Sequence, residues 1–421
     1  MNYLLKNANV YLDDSIFKRD ILIKNGVISD IGIAICCDNN TIVFDFNNKF
    51  IFPGFVDVHV HLREPGFILK ETIETGTKAA AHGGYTAVCS MPNLKPVPDS
   101  VDNLKLQLNQ IDKTACIKVL PFGSITVNEE GKELSDMEGM APFVAGFSDD
   151  GRGVQSDEIM FNAMTTAKKL GKIISAHCEV NELVLGGAIN DCEFARQNQI
   201  GGICNESEWK QIARDIELVK KTGCKYHVCH ISTKESVDII RNAKKEGVDI
   251  TCETGPHYLV LDDSCLEDDG RFKMNPPLRS KADREALIEG IKDGTIDMIA
   301  TDHAPHTKGE KSKGLKGSLM GIVGIETAFP VLYTELVKTN IITLEKLIEI
   351  MSVVPALRFG IDSQIKKGCK ANLTVFDLEK NYIINSADFL SKGKCTPFEK
   401  KKVYGKCIMT ISEGNIAWIE N

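Results

Sequence analysis

Eight short runs of apolar and β-branched residues recur through the middle of the chain, at 54–60, 85–91, 116–122, 144–147, 172–177, 225–230, 248–252 and 297–300. Between most of them lie segments of helical periodicity, among them 75–82, 156–170, 207–221, 236–246 and 282–291. Strands that alternate with helices leave few topologies open, because parallel neighbours need a long crossover between them. Eight such units predict an α/β fold of the (β/α)8, TIM-like barrel type. A doubly wound open sheet is the alternative; no Gly-rich dinucleotide fingerprint follows the first strand to support it.

The two ends of the chain read differently. Residues 1–52 alternate apolar and polar positions around turn signals at Lys24-Asn25-Gly26 and Asp38-Asn39-Asn40, and residues 360–421 do the same around Lys367-Gly368 and Glu413-Gly414. The simplest arrangement is a small β-sandwich domain of short antiparallel strands built from 1–52 and 354–421, with a barrel of 53–353 inserted between them. Composition adds exclusions. Fifty basic against 58 acidic side chains leave a net charge of −8, which gives no electrostatic reason to bind nucleic acid or an anionic membrane. The 14 cysteines contain no C-x-x-C pair, as expected of free thiols in a reducing cytoplasm. Lys6, Asn7, Asn9, Asp13 and Asp14 interrupt the apolar residues too early for a signal-peptide core, and no run is long enough to span a membrane.

The residues that carry chemistry fall at the C-terminal ends of the predicted strands, where barrel enzymes place their catalytic groups. The first strand ends in Asp57-Val-His59-Val-His61-Leu-Arg63-Glu64-Pro65-Gly66, and residues two apart on a strand share a face, so both imidazoles can reach one ion. Strand four ends in Asp149-Asp150, strand five in His177, strand six in His227-Val-Cys-His230 and strand eight in Asp302. Only nine histidines occur in the chain, and four of them, with carboxylates from two strands, meet at this one face. That set exceeds what one tetrahedral ion with an open position uses, so two metals sharing a carboxylate fit better, with a single-metal site as the alternative. His227 lies an odd number of residues from His230, so strand parity packs it between strand and helix. Parity does not decide between Asp149 and Asp150.

The motifs DVHVHLREPG (57–66), Met91-Pro92-Asn93, FSDDG (147–151), HVCHIST (227–233), Asn275-Pro276-Pro277-Leu278-Arg279 and TDHAPH (301–306) together resemble the dihydroorotases of the amidohydrolase superfamily, over nearly the whole chain. The resemblance implies a barrel flanked by a β-sandwich and two zinc ions, with cobalt or manganese as substitutes. It places one zinc on His59, His61 and Asp302, the other on His177 and His230, and Asp150 between them. Superfamily relatives that bridge with a carboxylated lysine differ here, since 143–151 contains no lysine. Asp302 is implied as the group that takes a proton from water and passes it to the leaving ring nitrogen.

For substrate, the resemblance implies dihydroorotate and N-carbamoyl-L-aspartate, interconverted in pyrimidine biosynthesis. Arg63 shares the parity of His61 and can aim its planar fork at a carboxylate. His61, Asn93 and His306 match further substrate contacts of the family; Asn275 matches the contact to the pyrimidine ring, and Met320 and Gly321 match backbone contacts. Hydantoinases, dihydropyrimidinases and allantoinases are the enzymatic alternatives, separated by Arg63; a scaffold for aspartate transcarbamoylase that has lost its ligands is the non-enzymatic one. Family habit implies a homodimer. Two departures from the family pattern are Met320 before Gly321 and Gly255 in Gly255-Pro256-His257-Tyr258. The segment 307–318 carries Lys308, Lys311, Lys313 and Lys316 with Leu315 as its one apolar anchor, and reads as a mobile loop over the site.

Overall fold

The computed structural model describes residues 1–420. An eight-stranded sheet is built from both ends of the chain: β1 (Asn2–Leu12), β2 (Ser15–Lys24), β3 (Val27–Gly32), β4 (Thr41–Asp45) and β5 (Phe50–Pro53) from one, β17 (Leu373–Ile383), β18 (Lys402–Ser412) and β19 (Asn415–Ile419) from the other. The order is β19-β18-β17-β5-β1-β2-β3, with β4 also on β1. The hairpins are antiparallel as the turn signals predict, but β1 pairs in parallel with both β4 and β5. Residues 33–40 cause this: they carry the chain back across the sheet after β3, so β4 enters from the same end as β1. Tyr3, Leu5, Val10, Ile21, Ile23 and Ile51 join Leu373, Val375, Met409 and Ile411 in a separate buried cluster.

The middle of the chain forms parallel strands. These are β6 (Phe55–Val60), β7 (Tyr85–Ser90), β8 (Lys118–Pro121), β9 (Gly123–Ser124), β10 (Gly146–Ser148) and β11 (Ile173–Ala176), then, after a two-residue pair β12 (Ile189–Asn190) and β13 (Gly202–Ile203), β14 (Lys225–Val228), β15 (Ile250–Thr254) and β16 (Met298–Ile299). β6-β7-β8 pair in parallel, as do β9-β10-β11-β14-β15-β16. Only Phe122 separates β8 from β9, and its N–H bonds Ser90 O. Beyond β16, Val60 bridges His303 in parallel and the His61 N–H bonds His303 O. Every residue of β6 and β7 is buried, the pattern of strands covered on both faces.

The crossover helices start where the sequence supplies caps. Thr72, Ser156, Thr233 and Ser280 each accept a backbone N–H at the start of Ile73–His82, Asp157–Lys169, Lys234–Lys245 and Lys281–Lys292, contributing about 1 kcal/mol apiece. Helix Val354–Phe359 does not join the terminal sheet. Ala356 and Phe359 pack with Val56, Val58, Ala87 and Phe122 of the parallel strands, and the C-terminal share of the sheet begins with β17. No described helix is long and apolar enough to cross a membrane.

Candidate active site

The four histidines and two carboxylates converge at the C-terminal ends of the parallel strands. His61 Nε2 lies 3.1 Å from Asp302 Oδ1 and 3.5 Å from Asp150 Oδ2; His59 Nε2 lies 3.3 Å from Asp150 Oδ1 and 3.7 Å from Asp302 Oδ1. On the other side His177 Nδ1 is 3.0 Å from His230 Nε2, and these atoms are 3.8 and 3.7 Å from Asp150 Oδ1. Donors around one tetrahedral ion with bonds near 2.0–2.1 Å stand about 3.3 Å apart, which is the spacing seen. Asp150 touches both halves. Asp149 turns the other way and accepts from the N–H groups of Ile125 and Thr126 and the Thr126 hydroxyl, which resolves the choice that parity left open.

Hydrogen bonding on the far side of each ring fixes what the near side presents. Asn93 Oδ1 can only accept, so His61 Nδ1, 2.7 Å away, carries the proton; Glu253 Oε1 does the same to His59 Nδ1 at 3.0 Å. Both Nε2 atoms are then bare lone pairs facing carboxylates, an arrangement that repels unless a proton or a metal cation lies between. His59 Nε2 and Asp150 Oδ1 have no hydrogen-bond partner although both are buried. The site's demand for positive charge shows in its titration. Burial disfavours a charged His59, yet Asp150 lifts its pKa well above the usual imidazole value. Burial likewise disfavours ionised Asp150, and His59 and His230 hold it well below the carboxylate range. These residues fit a bound metal cation.

Around the cluster is a cavity of about 230 Å³ that brings together His61, Arg63, Asn93, Asp150, His177, His230, Asn275, Asp302, His306, Met320 and Gly321. His59 lies beneath it, fully buried. Arg63 donates from Nε to Pro305 O at 3.2 Å, and among the described residues no carboxylate lies within 4.0 Å of its guanidinium. Burial pulls its pKa down to about 10, so it stays cationic at neutral pH. Three of these residues have left-handed backbones, Arg63 (φ 61°), His230 (φ 34°) and Asp302 (φ 47°), a conformation costly outside glycine that re-aims a side chain as a strand ends.

The structure gives Asn93 and His306, both lining the cavity, partners that sequence did not indicate, and departs from expectation at His227 and at the segment 307–318. Asn93 lines the cavity, but its oxygen serves His61 and its Nδ2 lies 3.2 Å from Asp150 Oδ2, so it orients two cluster members. His306 donates from Nε2 to Met320 O at 2.7 Å and faces Lys70 Nζ through Nδ1 at 3.2 Å, so both nitrogens are engaged. His227 is not packed between strand and helix: its Nε2 bonds Glu253 Oε2 at 3.0 Å, because the left-handed turn at His230 breaks the alternation on which parity rests. The segment 307–318 is docked rather than loose. It forms two helical turns, Lys308–Lys311 and Gly314–Gly317, with Leu315 fully buried and Lys311 donating to the carbonyls of Lys273 (2.9 Å) and Leu319 (2.7 Å). Glu253 and Glu179 went unassigned from sequence. Glu179 Oε2 accepts from Asn275 Nδ2 at 2.6 Å, and its place two residues after His177 was a usable signal.

A family model described as Dihydro-orotase-like matches residues 48–236. The chain is 50% identical over 419 residues to a dihydroorotase of Fusobacterium nucleatum subsp. nucleatum, covering 99% of this chain and 98% of the relative. It is 48% identical over 425 residues to a dihydroorotase of Bacillus licheniformis, covering 100% and 99%. Among solved structures it resembles the L-hydantoinase (dihydropyrimidinase) of Arthrobacter aurescens, with a TM-score of 0.88, 26% identity and coverage of 98% and 95%. The D-hydantoinase (dihydropyrimidinase) of a Thermus species aligns with a TM-score of 0.86 and 26% identity, over 99% and 95% of the two chains.

Proposed function

Since the chain belongs to the dihydroorotase family, we infer that it is a cyclic amidohydrolase that interconverts dihydroorotate plus water and N-carbamoyl-L-aspartate in pyrimidine biosynthesis. The observation that carries the choice of substrate is Arg63, a cation in the cavity with no carboxylate of its own. Dihydroorotate supplies one; hydantoin and dihydrouracil do not. The strand pairings and the Val60–His303 bridge support a closed (β/α)8 barrel, and the shared sheet supports a β-sandwich domain made from both ends of the chain.

In this reading His59, His61 and Asp302 would hold one zinc, His177 and His230 would hold the other, and Asp150, which faces both groups, would serve as a ligand shared by the two sets. When bound, the pair makes water acidic enough to ionise near neutral pH and polarises the amide carbonyl. The protein's own groups do the rest. Arg63 binds the substrate carboxylate through its planar fork and turns the ring so that the scissile amide faces Asp302 and Asp150. Asn275, held by Glu179, and the backbone of Met320 and Gly321 bound the ring. Asp302 accepts the proton of the attacking water and returns it to the ring nitrogen as the C–N bond breaks. The carbonyl carbon becomes a new carboxylic acid group that loses a proton to the solvent as it ionises, so low pH favours ring closure.

Metal analysis combined with turnover assays in both directions tests the reading. The expected result is two divalent ions per chain and turnover of dihydroorotate, with hydantoin and dihydrouracil poorly used. Comparable turnover of the uncharged rings would overturn the substrate assignment and favour the hydantoinase alternative.

A further inference from the structure

We propose that Glu253 and His227 are positioning residues for the metal cluster, with Glu253 fixing the tautomer of His59 and the strand-end turn at His230 in one act. The inference rests on the reading of His59 and His230 as metal ligands. Glu253 is wholly buried on β15 and makes three contacts toward the cluster's underside. Its Oε1 accepts from His59 Nδ1 at 3.0 Å and from the His230 backbone N–H at 3.2 Å, and its Oε2 meets His227 Nε2 at 3.0 Å. His227 Nδ1 in turn lies 2.9 Å from Thr251 Oγ1.

Each bond has a directional consequence. The Glu253 carboxylate can only accept, which puts the His227 proton on Nε2 and leaves Nδ1 to accept from the Thr251 hydroxyl. The carboxylate accepts at both oxygens, and its grip on His59 Nδ1–H leaves Nε2 as a lone pair pointing at Asp150. The His230 N–H leaves the strand ladder where φ turns to 34°, and a buried N–H without an acceptor is costly; Glu253 Oε1 supplies the acceptor. One buried carboxylate therefore orients a ligand in each half of the cluster. Partners behind a ligating histidine typically change metal affinity about 10- to 100-fold when removed.

The test compares zinc-loaded wild type with E253Q and H227Q, following zinc loss to a chelator and the thermal midpoints of zinc-loaded and stripped protein. E253Q keeps the shape and removes the charge. It should lose zinc about 10- to 100-fold faster, lower kcat with little change in KM, and melt near wild type once both are stripped. H227Q should shift zinc loss in the same direction by less, and decides the matter if E253Q fails to fold. Zinc retention at the wild-type rate, or stripped and loaded midpoints falling equally, would show a packing role and overturn the proposal. A wild type that takes up no divalent ion overturns the metal reading and this inference together; a zinc-binding wild type with an indifferent E253Q overturns this inference alone.

Discussion

The rim of the parallel strands and the sheet built from the chain ends obey opposite rules. In the terminal sheet, Val10, Ile51 and Val375 stack in register on one apolar face, and left-handed residues either sit in hairpin turns, as Asn25, Gly26, Glu413 and Gly414 do, or interrupt a strand without joining a polar cluster, as Asn7 does at the bulge in β1 and Gly405 does in β18. At the rim, left-handed backbones occur at Arg63, His230 and Asp302, and buried polar atoms of His59, Asp150 and His177 lack partners. The sheet is arranged to be stable, whereas the rim holds groups that are satisfied only when something binds. Substitutions at the rim should therefore remove function and leave stability, and substitutions in the sheet should do the reverse.

The largest effect is expected for Asp302→Asn. Losing both a ligand and the proton carrier should lower kcat by about 10⁴-fold or more. The thermal midpoint of metal-free protein should hold or rise, because a strained, buried carboxylate is gone. Near-normal turnover would remove Asp302 from the mechanism. Ile51→Ala reverses the pattern. Ile51 is fully buried between Val10 and Val375, and truncation should cost about 3 kcal/mol in denaturant unfolding while kcat per folded molecule stays unchanged. A fall in kcat would show that the sheet and the site are coupled.

The contrast also accounts for what could be read from sequence. The parallel strands were legible because β-branched runs and capped helices alternate, and the cluster because His59, His61, His177, His230 and Asp302 each close a strand. Illegible were features that depend on leaving the regular backbone. Asp149 and Asp150 differ only in which way a strand end turns, His227 is misplaced by a parity that fails at His230, and the parallel pairing of β1 with β4 follows from the path of residues 33–40. Lys311 is another such case: four lysines suggest a solvated loop, yet one of them is buried to bind two carbonyls. Local composition does not show which lysine finds acceptors in a distant part of the chain.

Arg63→Ala sharpens the comparison within the rim, since it removes a binding group and no proposed ligand. KM for dihydroorotate should rise about 100-fold, equivalent to about 2.7 kcal/mol, with a smaller change in kcat and reduced preference for the carboxylated ring. An unchanged KM would remove its assigned role.

The smallest expected effect lies at the junction of the rim and its covering segment. Burial, reinforced by Arg63 and Lys70, pushes the His306 pKa down to about 3. An unfolded histidine titrates near 6.5, so between those values the unfolded chain binds the extra proton and the folded one does not. The neutral ring's contribution is complete above pH 6.5 and drains away as pH falls toward 3. Protonation would also set a cation beside Arg63 and Lys70 and displace Lys70 from Nδ1, loosening the segment that Met320 and Lys311 hold down. His306→Asn should cost about 1 kcal/mol at pH 7.5, and its thermal midpoint should fall less steeply than that of wild type between pH 6.5 and 4.5. Parallel curves for the two proteins would mean that the ring is not kept neutral by its surroundings and that the rim's acid sensitivity arises elsewhere.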